Sequence, residues 1–254
     1  FGIYDDMAPY LSLSLGAGET TLMRMVAGYA MLDNGGKRIK PSLVDRIQDR
    51  WGRTIYRHDE RQCVGCDAAK WDNQSEPKLV DKREQVLDPL TAYQITSIME
   101  GVVLRGTGQS IKAVGKHLAG KTGTTNEAKD LWFVGFSPDL AVGVYIGYDR
   151  PRSLGSGKSA QAATYAAPIF RDFMAMALKD KADVPFRVPP GIKLISVDPR
   201  SGMRSAGAGS ILEAFKPGTA PPDTYSVIGD ATSRGAASAP DVDKTVGSGT
   251  GGLY

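Results

Sequence analysis

The chain has 254 residues, 41% of them hydrophobic, and a formal net charge of +3. That is enough apolar content for one substantial core. The scattered Lys and Arg residues form no basic run of the kind nucleic acid demands, and no apolar stretch approaches the roughly 20 residues needed to span a bilayer.

Phe1 stands first and no leader pattern follows it, so a piece of a longer protein is expected, with any anchoring segment upstream. Leu22, Met25, Val26, Tyr29 and Leu32 recur at helical spacing and predict an amphipathic helix over 19–33. Asn34-Gly35-Gly36 supplies its left-handed stop. Residues 37–57 alternate as strands do, with Trp51-Gly52 at a turn, and 59–82 are polar and loop-like. Cys63 and Cys66 sit in this loop. Two thiols cannot close a metal site alone, and only His58 and His117 are available to help. A local disulfide in an oxidising compartment is the preferred reading, over a partial metal site or two free thiols. No metal and no cofactor is expected.

A second helix begins where Asp88 caps and Pro89 occupies the first helical position. Its stripe is Ile95, Ile98, Met99 and Val102, and Arg105-Gly106-Thr107-Gly108 ends it. A strand over about 117–125 follows, then Leu131–Ser137 and Leu140–Tyr148 joined by Pro138-Asp139. Trp132, Val134 and Phe136 alternate with Leu131 and Phe133, so both faces are apolar and the sheet is expected to be covered on both sides. Gly135, Gly143 and Gly147 mark bulges or close approaches. A third helix over about 162–179 carries Ile169, Phe170, Phe173 and Ala177, with Pro168 in its first turn or at a kink. Ile192–Val197 and Ile211–Phe215 suggest a small strand pair. From about 223 the composition is Gly, Ala, Ser, Thr and Pro, which buries too little to offset ordering entropy and predicts disorder.

The chemistry concentrates in Lys121-Thr122-Gly123-Thr124-Thr125-Asn126. Strand alternation sets Thr122 and Thr124 on one face and Lys121 and Gly123 on the other. Two hydroxyls can hold a carboxylate, the lysine adds positive charge, and Gly123 permits close approach of another backbone. The Thr124 amide suits an oxyanion donor if this strand is a sheet edge.

These residues match the Lys-Thr-Gly element of the penicillin-recognising serine enzymes. With Leu15-Gly16-Ala17-Gly18-Glu19, Asn34-Gly35-Gly36, Arg105-Gly106-Thr107-Gly108, Asp130-Leu131-Trp132-Phe133-Val134-Gly135-Phe136 and Phe215-Lys216-Pro217-Gly218-Thr219, the chain resembles the C-terminal part of class A penicillin-binding proteins over roughly residues 1–222. The resemblance implies an α+β fold of the penicillin-binding-protein/β-lactamase-like transpeptidase type, an antiparallel sheet covered by helices on both faces with its N-terminal part missing. It implies a partial transpeptidase domain at 1–182 and a small C-terminal extension at 183–222, and the composition beyond them leaves a disordered tail at 223–254.

By the same resemblance, the full enzyme is a bifunctional peptidoglycan synthase. Its transpeptidase attacks the D-Ala-D-Ala end of a stem peptide through a serine, releases D-alanine and cross-links the acyl group to a neighbouring amine, while β-lactams trap that serine. Lys121 would tune the site, Thr122 and Thr124 would hold the terminal carboxylate beside Gly123, and the Thr124 amide would complete the oxyanion hole. The expected location is the periplasmic face of the bacterial inner membrane, anchored outside these residues. The family's serine motifs are missing. Only Ser75-Glu76-Pro77-Lys78 fits Ser-x-x-Lys, in a polar loop, and neither Ser-x-Asn nor Tyr-x-Asn occurs. This chain alone is therefore expected to be inactive. His117 shows no evident carboxylate partner and is read as a surface or packing histidine. A carboxypeptidase-like hydrolase and a non-catalytic peptidoglycan-binding module are the alternatives.

Overall fold

The computed structural model describes residues 1–222 except Ala8, Asp67, Trp71, Glu76, Lys158 and Ser159. The expected disordered tail at 223–254 lies outside the described residues. Phe1–Ala220 form one compact unit.

Helix α1 spans Leu22–Asp33, three residues shorter at its start than the apolar spacing suggests. The Thr21 hydroxyl accepts from the Arg24 amide and so fixes that start. At the other end Gly35 and Gly36 both take positive φ. The alternating stretch becomes a hairpin of β1 (Arg46–Gln48) and β2 (Thr54–Arg57), turned at Asp49–Gly52. The Asp49 carboxylate accepts from the Trp51 and Arg53 amides in that turn. The stretch read as loop holds a second hairpin, β3 (Gln62–Val64) with β4 (Lys78–Val80). Its strands are three residues each, too short for hydrophobic alternation to reveal them. Cys63 and Cys66 are joined in a disulfide across the turn after β3.

Helix α2 spans Pro89–Arg105, and the Asp88 carboxylate accepts from the Thr91 amide at its N-terminus. Its buried face is Ala92, Thr96, Met99, Gly101 and Val103, whereas Ile98 is 61% exposed. Of the expected stripe Met99 is buried, Ile95 packs against the core and Val102 is half-buried, so only Ile98 turns outward, while the small residues Ala92, Thr96 and Gly101 join the buried face. Buried Thr96 satisfies its hydroxyl by donating to the Ala92 carbonyl at 3.0 Å.

The central sheet is β5 (Ala119–Thr124), β6 (Asp130–Ser137) and β7 (Leu140–Gly147), antiparallel in the order β5-β6-β7. Its register is unbroken along β6, from Asp130 opposite Gly147 to Ser137 opposite Leu140. The glycines therefore mark close approaches and not bulges. A Cβ on Gly143 would lie 2.5 Å from Val26, where α1 crosses, and one on Gly135 would lie 3.0 Å from Phe170. Helix α3 spans Ala166–Ala177 with Pro168 in its first turn. It buries Ala166, Ala167, Phe170 and Met174, while Ile169 and Phe173 of the expected stripe stay about half exposed.

Two cores result, one on each face. Phe133, Leu131 and Ile111 pack against Phe170 and Met174 of α3, with the Phe133 and Phe170 rings 4.7 Å apart. On the other face Phe136 and Ala119 meet Met99 of α2, Tyr29 and Leu32 of α1, and Phe186. Helices cover both faces, as the apolar strands require. Strands β8 (Lys193–Val197) and β9 (Ile211–Phe215) pair antiparallel and dock on α2. There Gln94 donates to the Ala214 carbonyl at 2.9 Å and Arg105 pairs with Glu213.

Candidate active site

Strand β5 pairs only with β6 among the described residues, so its other side is a free edge. The direction of each amide follows from the ladder. The Thr125 amide donates to the Asp130 carbonyl at 3.1 Å, and the next pair in register is Thr124 opposite Leu131. In an antiparallel ladder, neighbours of a hydrogen-bonded residue point the opposite way. The amides and carbonyls of Thr122 and Thr124 therefore face the free edge. The Thr122 carbonyl agrees with this, because it accepts from Lys121 Nζ at 3.1 Å.

At that edge three polar heads meet. Lys121 Nζ lies 3.4 Å from Thr122 Oγ1, and Thr122 Oγ1 lies 2.9 Å from Thr107 Oγ1. Alternation starts the lysine on the face opposite Thr122, but its long stem carries the ammonium round the strand edge. Thr107 arrives from the turn that ends α2, fifteen residues earlier in the chain. The sequence holds it in the Arg105-Gly106-Thr107-Gly108 element that shares in the resemblance, with nothing to place it at this edge. Thr124 Oγ1 accepts from the Ala162 amide at 3.2 Å, ahead of α3. A hydroxyl that accepts keeps its own hydrogen to give. Thr124 can thus donate to an anion, and so can Thr122 when Thr107 donates to it. A Cβ on Gly123 would sit 3.2 Å from Trp132 Cβ, so the glycine here accommodates its cross-strand neighbour.

The turn after the motif is strained. Glu127 and Ala128 both take positive φ, at 61° and 49°. Thr125 Oγ1 accepts from the Asp130 amide at 2.8 Å, and Tyr145 donates to the Asp130 carboxylate at 2.8 Å, which pins both ends of this connection.

The other candidates fall elsewhere. Ser75 is exposed on the connection between β3 and β4, and Lys78 opens β4, so this Ser-x-x-Lys is not on a helix. The Cys63–Cys66 disulfide lies in the same hairpin. His117 does have a carboxylate partner: Asp183 accepts from its amide at 2.9 Å and faces its Nδ1 at 3.0 Å. A pair 66 residues apart leaves no local signal. The His117 amide and ring hold the Asp183 carboxyl below its ordinary range, while burial raises that of nearby Glu100. The cavity beside them, lined by Ser137 and Asp139 among others, is only about 20 Å³, room for one water and no substrate. The described residues contain no group of three or more His, Cys, Asp or Glu side chains able to hold a metal.

Residues 8–175 match the penicillin binding protein transpeptidase domain family. The chain is 45% identical over 220 residues to penicillin-binding protein 1A of Rickettsia conorii, which covers 85% of this chain and 27% of that protein. It is 39% identical over 183 residues to penicillin-binding protein 1A of Neisseria gonorrhoeae, 72% of this chain and 21% of that one. The chain thus spans about a quarter of the length of these relatives. Among solved structures, penicillin-binding protein 1A from Haemophilus influenzae aligns with a TM-score of 0.66 at 28% identity, over 84% of this chain and 34% of that one. The PonA1 protein from Mycobacterium tuberculosis, solved in complex with penicillin V, shares the fold at a TM-score of 0.56 and 23% identity, over 71% of this chain and 44% of that one. The chain belongs to the penicillin-binding protein transpeptidase domain family.

Proposed function

We propose that this chain forms one wall of the active site of a serine-type D-Ala-D-Ala transpeptidase that cross-links peptidoglycan. One observation carries the reading: Lys121, Thr122 and Thr124 lie on a free strand edge, with the Thr122 and Thr124 amides turned outward and the lysine head beside the Thr122 hydroxyl. The acylating serine comes from outside these 254 residues.

In this reading the serine oxygen attacks the carbonyl carbon of the penultimate D-alanine, and the negative charge moves to the carbonyl oxygen. The Thr124 amide donates to that oxygen, where charge develops and a fixed dipole stabilises the transition state most. The Thr122 and Thr124 hydroxyls hold the terminal carboxylate, and the Lys121 ammonium lowers the energy of both anions. Collapse breaks the C–N bond, D-alanine leaves as an amine after taking the serine's proton, and an acyl ester remains. The amine of a second stem peptide then attacks the ester, forming the cross-linking amide and returning the proton to the serine. β-Lactams enter as acylating mimics of the donor.

The enzyme works on the periplasmic face of the inner membrane. The Cys63–Cys66 disulfide supports this location, because such bonds persist in an oxidising compartment.

Fluorescent penicillin labelling of the 254-residue chain, beside a form extended upstream through a helical Ser-x-x-Lys, tests the reading. Labelling only of the longer form is expected. Labelling of the short chain would place the nucleophile within it, with Ser75 the first residue to replace, and labelling of neither would overturn the assignment.

A further inference from the structure

The β1–β2 hairpin is built in a way that folding alone does not explain. It is a two-stranded ribbon, and every residue of both strands is exposed. Such ribbons are marginal in water. Yet it displays Ile47, Ile55 and Tyr56, and at its turn Trp51 is 71% exposed. Two guanidinium groups flank that indole, Arg50 at 5.0 Å and Arg53 at 5.9 Å from the ring centre. Further down the ribbon, Arg46 and Arg57 stand directly opposite each other in register. Like charges so placed destabilise a strand pair.

The contrast with the rest of the molecule is sharp. Lys37, Arg38, Arg61, Arg83 and Arg105 each have a carboxylate partner. Among the described residues Arg46, Arg50 and Arg53 have no ion pair. The one carboxylate in the turn, Asp49, accepts from the Trp51 and Arg53 amides and keeps its negative charge there. The result is an exposed hairpin with an indole at its turn and two guanidinium groups beside it that have no ion pair among the described residues.

We propose that this hairpin is a second binding surface for the enzyme's polymeric substrate, a glycan strand bearing carboxylate-rich stem peptides; the identity of the polymer rests on the transpeptidase reading above. The occupant follows from complementarity. An indole face accepts the apolar face of a sugar ring, and guanidinium groups already stacked on it lose little freedom when they take a carboxylate. The hairpin thereby holds the strand while the Lys121 edge acts on one stem.

The 254-residue chain is titrated with soluble, un-cross-linked peptidoglycan strands carrying pentapeptide stems, and in parallel with strands stripped of their stems and with poly-L-glutamate. Trp51→Ala and the double variant Arg50→Gln, Arg53→Gln are each expected to weaken binding to the stem-bearing strands by about tenfold, or about 1.4 kcal/mol. Circular dichroism should be unchanged, since every altered side chain is exposed. Stripped strands should bind more weakly than stem-bearing ones, and added salt should weaken the interaction. No binding, or unaltered binding by both variants, would overturn the proposal. Equal binding of poly-L-glutamate would also overturn it, and would point to an acidic protein as the partner. Penicillin labelling of the longer form carrying Trp51→Ala separates the two readings. Normal labelling with lost strand binding supports both, whereas absent labelling of the unaltered longer form removes the transpeptidase reading and leaves the hairpin to be judged on its titrations.

Discussion

Thr107 and Thr122 share a hydroxyl–hydroxyl hydrogen bond of 2.9 Å that joins the turn after α2 to the free edge of β5. The bond decides which way the Thr122 hydroxyl points. If Thr107 donates, Thr122 is left with its hydrogen facing the edge, ready for an anion. Thr107 is in this sense a positioning residue: it touches the side chain that would touch the substrate.

Thr107→Val keeps the shape and removes the bond. In the longer, acylation-competent protein it is expected to slow β-lactam acylation by roughly three- to tenfold, in line with the roughly 1 kcal/mol of one hydrogen bond. Thr107→Ser should restore the rate. A rate unchanged by Thr107→Val would show that the Thr122 hydroxyl is oriented by something else.

Lys121→Ala should act far more strongly. The lysine is exposed and, among the described residues, its ammonium bonds only to Thr122, so thermal stability should hardly move. Acylation should fall by about a hundredfold or more, the usual scale for removing an electrostatic group from a transition state. Stopped-flow acylation with a fluorescent penicillin measures it, and near-normal kinetics would sink the assigned role.

Asp33 gives a pH prediction. It ends α1, and burial first, then the neighbouring Asp139 charge, raises its carboxyl from 3.8 to about 7. The folded state therefore binds this proton more tightly than the unfolded one. The stabilisation is complete below about pH 4 and is lost as pH rises through about 7. Asp33→Asn should flatten the melting temperature between pH 5 and 8 and leave the variant more stable than the parent at pH 8. A parent whose melting temperature rises over that interval would contradict the assignment.

The packing of α1 on β7 leaves no room at Gly143, where a Cβ would lie 2.5 Å from Val26 and 2.7 Å from Leu22. Gly143→Ala must displace the Val26 and Leu22 side chains or the helix that carries them and should cost about 1–3 kcal/mol, the range for overpacking. Denaturant unfolding measures it. A cost near zero would mean that α1 is not seated on the sheet at this point.

Glu127 works in the opposite direction. At φ 61° it pays the left-handed cost of roughly 1 kcal/mol that glycine avoids. Its ion pair with Lys129 is exposed and contributes little. Glu127→Gly should raise stability by up to about 1 kcal/mol, read in the same unfolding experiment. A loss of stability would mean that the ion pair outweighs the strain.

What the sequence determined by itself is what neighbours along the chain decide. Asp88 and Pro89 start α2, Gly35 and Gly36 stop α1, Asp49 to Gly52 turn the first hairpin, and the two-sided apolar pattern of β6 requires a sheet covered on both faces. The order Lys121-Thr122-Gly123-Thr124 and the alternation of its side chains were equally readable. Tertiary structure decided which side of each helix is buried. Ala92, Thr96, Ala166 and Ala167 turn inward, while the larger Ile98, Ile169 and Phe173 stay substantially exposed, because the distance between helix and sheet, and not hydrophobicity alone, selects what fits. It also decided the long-range pairs, Thr107 with Thr122 and His117 with Asp183, and it carried the Lys121 ammonium round the strand edge. Such contacts depend on how elements distant in the chain are brought together, and no periodicity in the sequence records them.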